Sequence, residues 1–555
     1  MSNATSHIKI NPAIGINREQ QNMPGINSPT KIKPEIEINQ DFARALELLE
    51  NSSKNAFITG KAGTGKSTLL QYFRDHSSKK IVVLAPTGVA ALNVNGQTIH
   101  SFFQFPPHIT IEAVSKQSPS KKLKEMLGKI DVIVIDEVSM VRADLMDCID
   151  IALRHFLGKK AAFGGLQMVF IGDLYQLPPV VSGTDERELF RTYYRSPYFF
   201  DAKALENRDM EFIELHKIYR QKDGNFIDLL NKIRNSSVDE RDIDELNTRF
   251  DPAFEHDDGK DFYITLTTTN ASADAINYQK LSRLKTEPKT YYGKMGGKFD
   301  NKHIPTAIEL DVKIGAQIMM LNNDSGKRWV NGSIGKIIDI KNDGEPGEAG
   351  ESGEGRVVVR LNDGKIVEVT PYTWELFRYV FNKENKRLDT EILGSFTQYP
   401  FRLAWAVTIH KSQGKTFDNV VIDLGRGSFV QGQVYVAISR CTCFEGLIFK
   451  KPIQKKHIWI DYHIIRFLTR YQYDISEKEM PLEAKIERIK EAIAKREAIE
   501  ITYLKADDTK SHRKIEPRFV GDMEYLGKTF LGIQAYCLKR KDMRNFRVDR
   551  ILEIK

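Results

Sequence analysis

Gly60-Lys61-Ala62-Gly63-Thr64-Gly65-Lys66-Ser67 fits the pattern G-x-x-x-x-G-K-[ST]. It lies between an apolar run, Ala56-Phe57-Ile58-Thr59, that reads as a short strand and a helical run, Thr68-Leu69-Leu70-Gln71-Tyr72-Phe73. That strand–loop–helix setting distinguishes a phosphate-binding loop from a chance glycine-rich turn. In such a loop the backbone amides wrap the phosphates, and the helix N-terminus adds its dipole. Lys66 carries charge to the β and γ oxygens, and Ser67 offers a hydroxyl to Mg²⁺. Gly60, Ala62, Gly63, Thr64, Gly65, Lys66, Ser67 and Thr68 are therefore the expected ATP-binding set, with ATP and Mg²⁺ as cofactors.

Working outward, three more runs read as strands buried on both faces: Ile81-Val82-Val83-Leu84, Val132-Ile133-Val134-Ile135 and Met168-Val169-Phe170-Ile171. Continuous β-branched runs separated by helical stretches predict a parallel sheet with helices on both sides. Ligands of such sheets bind at the carboxyl ends of the strands. Asp136-Glu137 closes one of these runs. A carboxylate there suits Mg²⁺, which favours hard oxygen ligands, and its neighbour suits a general base for the attacking water. Asp-Glu pairs are also common in solvated turns, and the upstream loop is what favours chemistry here. Gln176, in Gly172-Asp173-Leu174-Tyr175-Gln176-Leu177-Pro178-Pro179-Val180, is a candidate to contact the γ-phosphate or the water; a simple turn is the equal alternative. A transition state with charge spread over phosphoryl oxygens favours an arginine from another lobe. Arg220 and Arg440 are the two candidates, Arg440 because it ends the apolar run from Tyr435 to Ser439.

Composition sets bounds. At 555 residues the chain is too long for one core. The net charge of +8 permits a polyanionic partner without demanding one. The four cysteines, Cys148, Cys441, Cys443 and Cys537, suit neither a disulfide framework nor a paired zinc site. No apolar run approaches the roughly 20 residues of a membrane span and no signal segment opens the chain, so a cytoplasmic, nucleoid-associated protein is expected.

The second half changes texture. Sheet-like runs at Phe262-Tyr263-Ile264-Thr265-Leu266 and Val420-Val421-Ile422 flank alternating patterns near 335–340 and 356–361, joined by a Gly/Glu/Asp/Ser stretch, 341–355, that reads as a hairpin tip. The expected architecture is α/β with two lobes of parallel sheet flanked by helices, a small β-barrel inserted in the second, and a β-rich tail. Its boundaries are a disordered tail 1–38, lobe 1 at 39–214, lobe 2 at 215–300 and 396–455, the barrel at 301–395, a linker at 456–483 and a final module at 484–555. Ile486, Ile489 and Ile493 place an amphipathic helix at the start of that module.

Taken together, the loop at 60–67, Ala85-Pro86-Thr87-Gly88-Val89-Ala90-Ala91, Thr98-Ile99-His100-Ser101-Phe102-Phe103, Asp136-Glu137-Val138-Ser139-Met140, the Gln176 loop, Tyr219-Arg220-Gln221, Val330-Asn331-Gly332-Ser333 and the block from Thr408 to Arg440 resemble the PIF-type (petite integration frequency) helicases of superfamily 1B, relatives of the RecD-like group. The resemblance covers about 39–455. It implies that the two lobes are RecA-like P-loop lobes with ATP between them, and a DNA-stimulated ATPase moving 5′ to 3′ on single-stranded DNA and unwinding duplex or quadruplex DNA, with roles in DNA repair, recombination, replication or telomere-type maintenance. Lys66, Glu137, Gln176, Arg220 and Arg440 would serve catalysis, Ser67 and Asp136 would hold Mg²⁺, and Gly414 would join the ATP site. Thr87, His100, Asn270, Asn331, His410 and Lys411 fall in motifs that face the strand. Phe102, with Phe103 and Phe105, is a candidate for base stacking or a wedge, core packing being the alternative. Gln40 is the nearest candidate for an adenine-reading glutamine.

From 484 the tail resembles a WYL domain, a small Sm-like β module, on Ile501-Thr502-Tyr503, Ile515-Glu516-Pro517-Arg518 and Phe546-Arg547-Val548-Asp549-Arg550, with Thr529-Phe530-Leu531 where the name-giving triplet is expected. Residues 496–555 carry a net charge of +4. Arg540, Arg544, Arg547 and Arg550 are candidates to line a phosphate groove that binds single-stranded DNA or another ligand. A monomer is expected. The competing functional class is a nucleic-acid-responsive ATPase switch with a regulatory output.

Overall fold

The computed structural model describes residues 38–555 apart from 182, 208–209, 256–261, 300–303, 342–354, 383, 385, 426, 428–429, 506–509 and 526. The expected tail 1–38, Ile38 excepted, and most of the expected hairpin tip 341–355 lie outside the described residues.

Lobe 1 is a six-stranded parallel sheet. Its strands are β1 (Asn55–Gly60), β2 (Ile81–Ala85), β3 (Gln97–Thr98), β4 (Val132–Ile135), β5 (Gln167–Ile171) and β6 (Met210–Leu215), in spatial order β3-β2-β4-β5-β1-β6. Helices cover both faces, so β2, β4 and β5 are buried along their whole length, which is why they read as unbroken apolar runs. Because β4, β5 and β1 are neighbours, the segments leaving their carboxyl ends are brought together: Asp136-Glu137, the Gln176 loop and the phosphate-binding loop.

Lobe 2 holds a four-stranded parallel sheet, Ala406–Thr408, Tyr263–Thr267, Asn419–Asp423 and Leu447–Phe449 in that spatial order. Its inserted strands are antiparallel. Five of them (Ile366–Val369, Arg356–Leu361, Ile334–Lys341, Gln317–Met320, Phe401–Leu403) form one sheet, built on a core that includes Trp329, Val357 and Phe401. A long hairpin, Tyr372–Asn382 with Arg387–Gln398, pairs with Lys294–Gly297 and reaches lobe 1, where the Tyr379 hydroxyl accepts the Val83 amide. Inserted strands run from Lys289 to Leu403, wider than the expected 301–395.

The expected linker at 456–483 contains an 18-residue helix, Tyr462–Glu479. Ile464, Leu468 and Tyr471 recur at helical spacing and are buried, so the segment is an amphipathic element. Phe467 stacks on Phe200 of lobe 1 at 4.2 Å, and the Tyr471 hydroxyl donates to the Met210 carbonyl. The same helix reaches the tail, where the Ser476 hydroxyl donates to the Leu552 carbonyl at 2.7 Å and accepts from buried Lys485 at 2.6 Å. The tail is a five-stranded antiparallel sheet closed over by the helix Leu482–Lys495, with Ile489 in its core.

Candidate functional site

The nucleotide cleft is built where lobe 2 closes on the phosphate-binding loop. Gly63 has a left-handed φ of 81°, and a Cβ there would lie 2.5 Å from the Cβ of Arg220, so only glycine lets these segments touch. The Tyr219 amide donates to the Gly63 carbonyl at 2.9 Å. From the helix Gln433–Ile438, the Tyr435 hydroxyl accepts the Ala62 amide at 3.0 Å. Arg220 donates to the Ser439 carbonyl at 3.1 Å, one residue from Arg440.

Arg440 is 1% exposed. Its guanidinium donates to the carbonyl of Val436 at 3.0 Å and to the Ser439 hydroxyl at 3.0 Å, and lies 3.3 Å from the Lys415 carbonyl. Burial, then the neighbouring Arg220, pull its pKa down to about 9. Burial lowers Arg220 as well. Neither guanidinium has a carboxylate within ion-pair distance among the described residues, although Glu137 acts on Arg440 electrostatically. Two sequestered cations without a counter-ion are costly, and a phosphate would supply one.

Lys66 folds back on its own loop, donating to the carbonyls of Gly60 at 2.7 Å and Lys61 at 3.0 Å. Burial lowers its pKa against the opposing pull of Asp173 and Glu137. Burial raises both Asp136 and Glu137, and Glu137 raises Asp136 further. Glu137 has φ 50° and ψ 40°, a left-handed conformation uncommon for a non-glycine residue. Ser67 and Thr68 are exposed in the first turn of the helix Lys66–His76. Ser67 and Asp136 supply hard oxygen donors of the type Mg²⁺ takes. Gln176 is buried and donates to Asp173 at 3.2 Å. Gln40 is exposed at the start of the helix Gln40–Asn51.

Sequence reasoning missed Arg234. It ends the helix Gly224–Arg234 in lobe 2, crosses to lobe 1, donates to Asp173 at 3.3 Å and lies over the Tyr175 ring at 3.7 Å. The last turn of an amphipathic helix carried no signal that this arginine turned inward.

A second cavity, of about 600 Å³, joins the inserted sheet to lobe 2 and is lined by Asn331, Gly332, Gly414 and Lys415 among others. Gly414 thus opens on this cavity. Asn331 accepts from Lys415 and donates to Asn93 of lobe 1 at 3.0 Å, six residues after Thr87. Lys415, absent from the expected set, is buried, and burial followed by Arg402 pulls its pKa down to about 7. His410, Lys411 and Asn270 are exposed at or beside the ends of lobe 2 strands. The Thr87 hydroxyl caps the helix Gly88–Asn93 by accepting the Ala90 amide. His100 is half-buried, and burial lowers its pKa.

Phe102 does not face a strand. It is 3% exposed, set edge-on to Phe103 at 4.9 Å, and covered by Tyr379 of the hairpin. Phe103 and Phe105 are buried beside it, so the three aromatics are core and the stacking expectation is corrected.

A family model described as PIF1-like helicase matches residues 38–244, and a WYL domain model matches 484–555. An ATP-dependent DNA helicase Pif1 from Bdellovibrio bacteriovorus is 32% identical over 426 residues, which span 74% of this chain and 88% of the relative. The chain belongs to the PIF1-like helicase family. A crystal structure of Bacteroides sp. Pif1 with ADP-AlF4 matches with a TM-score of 0.70 at 35% identity, covering 79% of this chain and 98% of that one. Bacteroides Pif1 bound to single-stranded DNA matches at the same identity and coverage with a TM-score of 0.56.

As a PIF1-like helicase with a WYL domain, the protein is an ATP-hydrolysing enzyme of α/β fold with a β-rich C-terminal region. No helix among the described residues is long and apolar enough to cross a membrane. In the WYL domain Arg547 is held by Asp549 at 2.6 Å and lies over Phe530, the central residue of the degraded triplet.

Proposed function

We propose that this PIF1-like helicase is a motor that moves 5′ to 3′ along single-stranded DNA and separates duplex or quadruplex DNA ahead of it, in repair, recombination, replication or telomere-type maintenance. The observation that carries the reading is a pair of guanidiniums with no carboxylate at ion-pair distance among the described residues: Arg220, packed on Gly63 of the loop that would cradle the triphosphate, and Arg440, next to the Ser439 carbonyl that Arg220 bonds.

In this reading Lys66 exchanges its carbonyl acceptors for phosphate oxygens, and the amides of the Gly60–Thr68 segment surround them. Ser67 and Asp136 hold Mg²⁺, which when bound neutralises charge developing on the phosphoryl oxygens. Glu137, its carboxyl pushed up by burial, would serve as the general base toward the attacking water. Arg220 and Arg440 move onto the terminal phosphoryl group and draw lobe 2 onto lobe 1. Gln176, bonded to Asp173, which also pairs with Arg234 of lobe 2, links the state of the phosphate to lobe closure. The strand lies across Thr87 and His100 of lobe 1 and Asn270, Asn331, His410 and Lys411 of lobe 2, with Lys415 beneath it. The inserted sheet closes as a small barrel, the WYL domain is Sm-like and adds grip on DNA, and the protein works as a cytoplasmic monomer at the nucleoid.

Strand displacement tests this. A duplex with a 5′ single-stranded tail is unwound in the presence of ATP, one with a 3′ tail is not, and Lys66→Ala abolishes the activity. ATP turnover with no displacement on either substrate contradicts the motor.

A further inference from the structure

Outside both cavities described above, a third, open cleft of about 560 Å³ lies between lobe 1 and the helix Tyr462–Glu479, within the range of small-ligand sites. Its two walls are the segment 192–206 and the turns of the helix that carry His463, Arg466 and Arg470. Four basic side chains line it, Arg195, Lys203, Arg466 and Arg470, against two carboxylates, Asp201 and Glu206. Asp201 already accepts a hydrogen bond from the Ser196 hydroxyl. None of the four cations has an ion-pair partner among the described residues, whereas His463 is engaged by Asp461 at 2.8 Å. Arg466 and Arg470 are four residues apart and share one helix face.

Beside the cations stand flat rings. Tyr193 is 62% exposed, with the Lys203 ammonium 5.9 Å from its centroid. Tyr194 is fixed by a hydrogen bond to Asp147 at 2.9 Å. The parallel stack of Phe200 on Phe467, at 8° between planes, forms the floor and welds the two walls together. Cations without ion-pair partners beside an exposed ring, in an open cleft of this size, match the two halves of a nucleotide, phosphate and base.

We propose that this cavity is a second nucleotide-unit site, distinct from the ATP cleft and the Lys415 cavity, in which a phosphate sits between Arg466, Arg470 and their basic neighbours while a base lies on Tyr193. The unit is either part of a DNA strand or a free nucleotide. Its occupancy ties the helix that carries the WYL domain to lobe 1.

Photo-crosslinking of the full chain distinguishes the sources. One arm uses a thymidine oligonucleotide carrying 4-thiothymidine. The other uses 8-azido-ATP on Lys66→Ala protein, which removes the competing P-loop. The expected result is label on peptides from 192–206 or 462–470 with one probe, falling at least tenfold in both R466Q/R470Q and Tyr193→Ala. If the strand is the source, R466Q/R470Q also lowers the slope of log affinity against log salt by about 1.4, two phosphate contacts' worth. The substituted side chains are exposed, and unchanged melting temperatures certify the fold. No label on these peptides with either probe, or label that survives both variants, overturns the site. Displacement on the 5′-tailed duplex is read in parallel, so this site can fail while the motor reading stands.

Discussion

Arg440 is buried with no carboxylate partner among the described residues, which is an unstable place for a cation unless an anion arrives. If that anion is the terminal phosphate, Arg440→Ala lowers ATP turnover by at least about 10²–10³-fold, with ADP affinity nearly unchanged. Steady-state hydrolysis and nucleotide titration read the two effects. Arg234 is the opposite case, a buried cation already paired with Asp173. Arg234→Met leaves Asp173 uncompensated and costs about 3–5 kcal/mol of stability, measured by denaturant unfolding, while the double variant with Asp173→Asn recovers part of it. Lys415 makes a pH-dependent claim. Folding depresses its pKa from 10.5 to about 7, so the unfolded chain binds more protons across that window. Stability therefore climbs as pH rises from 7 to 10.5, and is lost as pH falls back toward 7. A strand phosphate beside the amine would recharge it, so binding at pH 8 takes up close to one proton. Calorimetry in buffers of different ionisation enthalpy reads that uptake, and Lys415→Met abolishes it. At this scale the sequence was legible where chemistry forces a pattern, as at Lys66 and Asp136. It was silent at Arg234 and Lys415, because a single cation acquires meaning only from what folds against it. Phe102 shows the reverse: an aromatic in a motif was open to a ligand role until the hairpin covering it was known.

Elements followed the same logic. The parallel strands of lobe 1 were readable because burial on both faces demands unbroken apolar runs. The helix Tyr462–Glu479 was not, although Ile464, Leu468 and Tyr471 repeat at helical spacing, because the segment lies between two motif-rich regions and its polar face dominates its composition. It is a strut. Its aromatic face lies on Phe57 of β1, the strand that delivers the phosphate-binding loop, and its far end bonds the WYL domain. Phe467→Ala removes that stack and should cost about 3 kcal/mol or somewhat less, since the ring is only partly buried. Thermal unfolding followed by intrinsic fluorescence measures the loss. The long hairpin is the second unforeseen element. Phe102→Leu, beneath Tyr379, should lower stability by about 1 kcal/mol without weakening single-stranded DNA binding, a result that anisotropy titration checks.

For the molecule as a whole, the chain matches Bacteroides sp. Pif1 in complex with ADP-AlF4 better than Bacteroides Pif1 bound to single-stranded DNA at equal identity and coverage, 0.70 against 0.56. Identity and coverage being the same, the difference lies in how the parts are arranged. In the present arrangement the hairpin is latched to lobe 1 through Tyr379 and Val83. A disulfide engineered across that contact should leave ADP binding intact and slow strand displacement at least about tenfold, with reduction restoring it, if the latch must open on DNA. The central claim concerns the cleft: the terminal phosphate is gripped from both sides, by the loop at 60–67 and by Arg220 and Arg440. The most direct measurement compares the affinities of ADP and of ADP with aluminium fluoride for the wild type, Arg220→Ala and Arg440→Ala. The account predicts ADP affinities within about threefold of each other and analogue affinity at least about 100-fold weaker in each variant. Analogue binding as tight in both variants as in the wild type would contradict it.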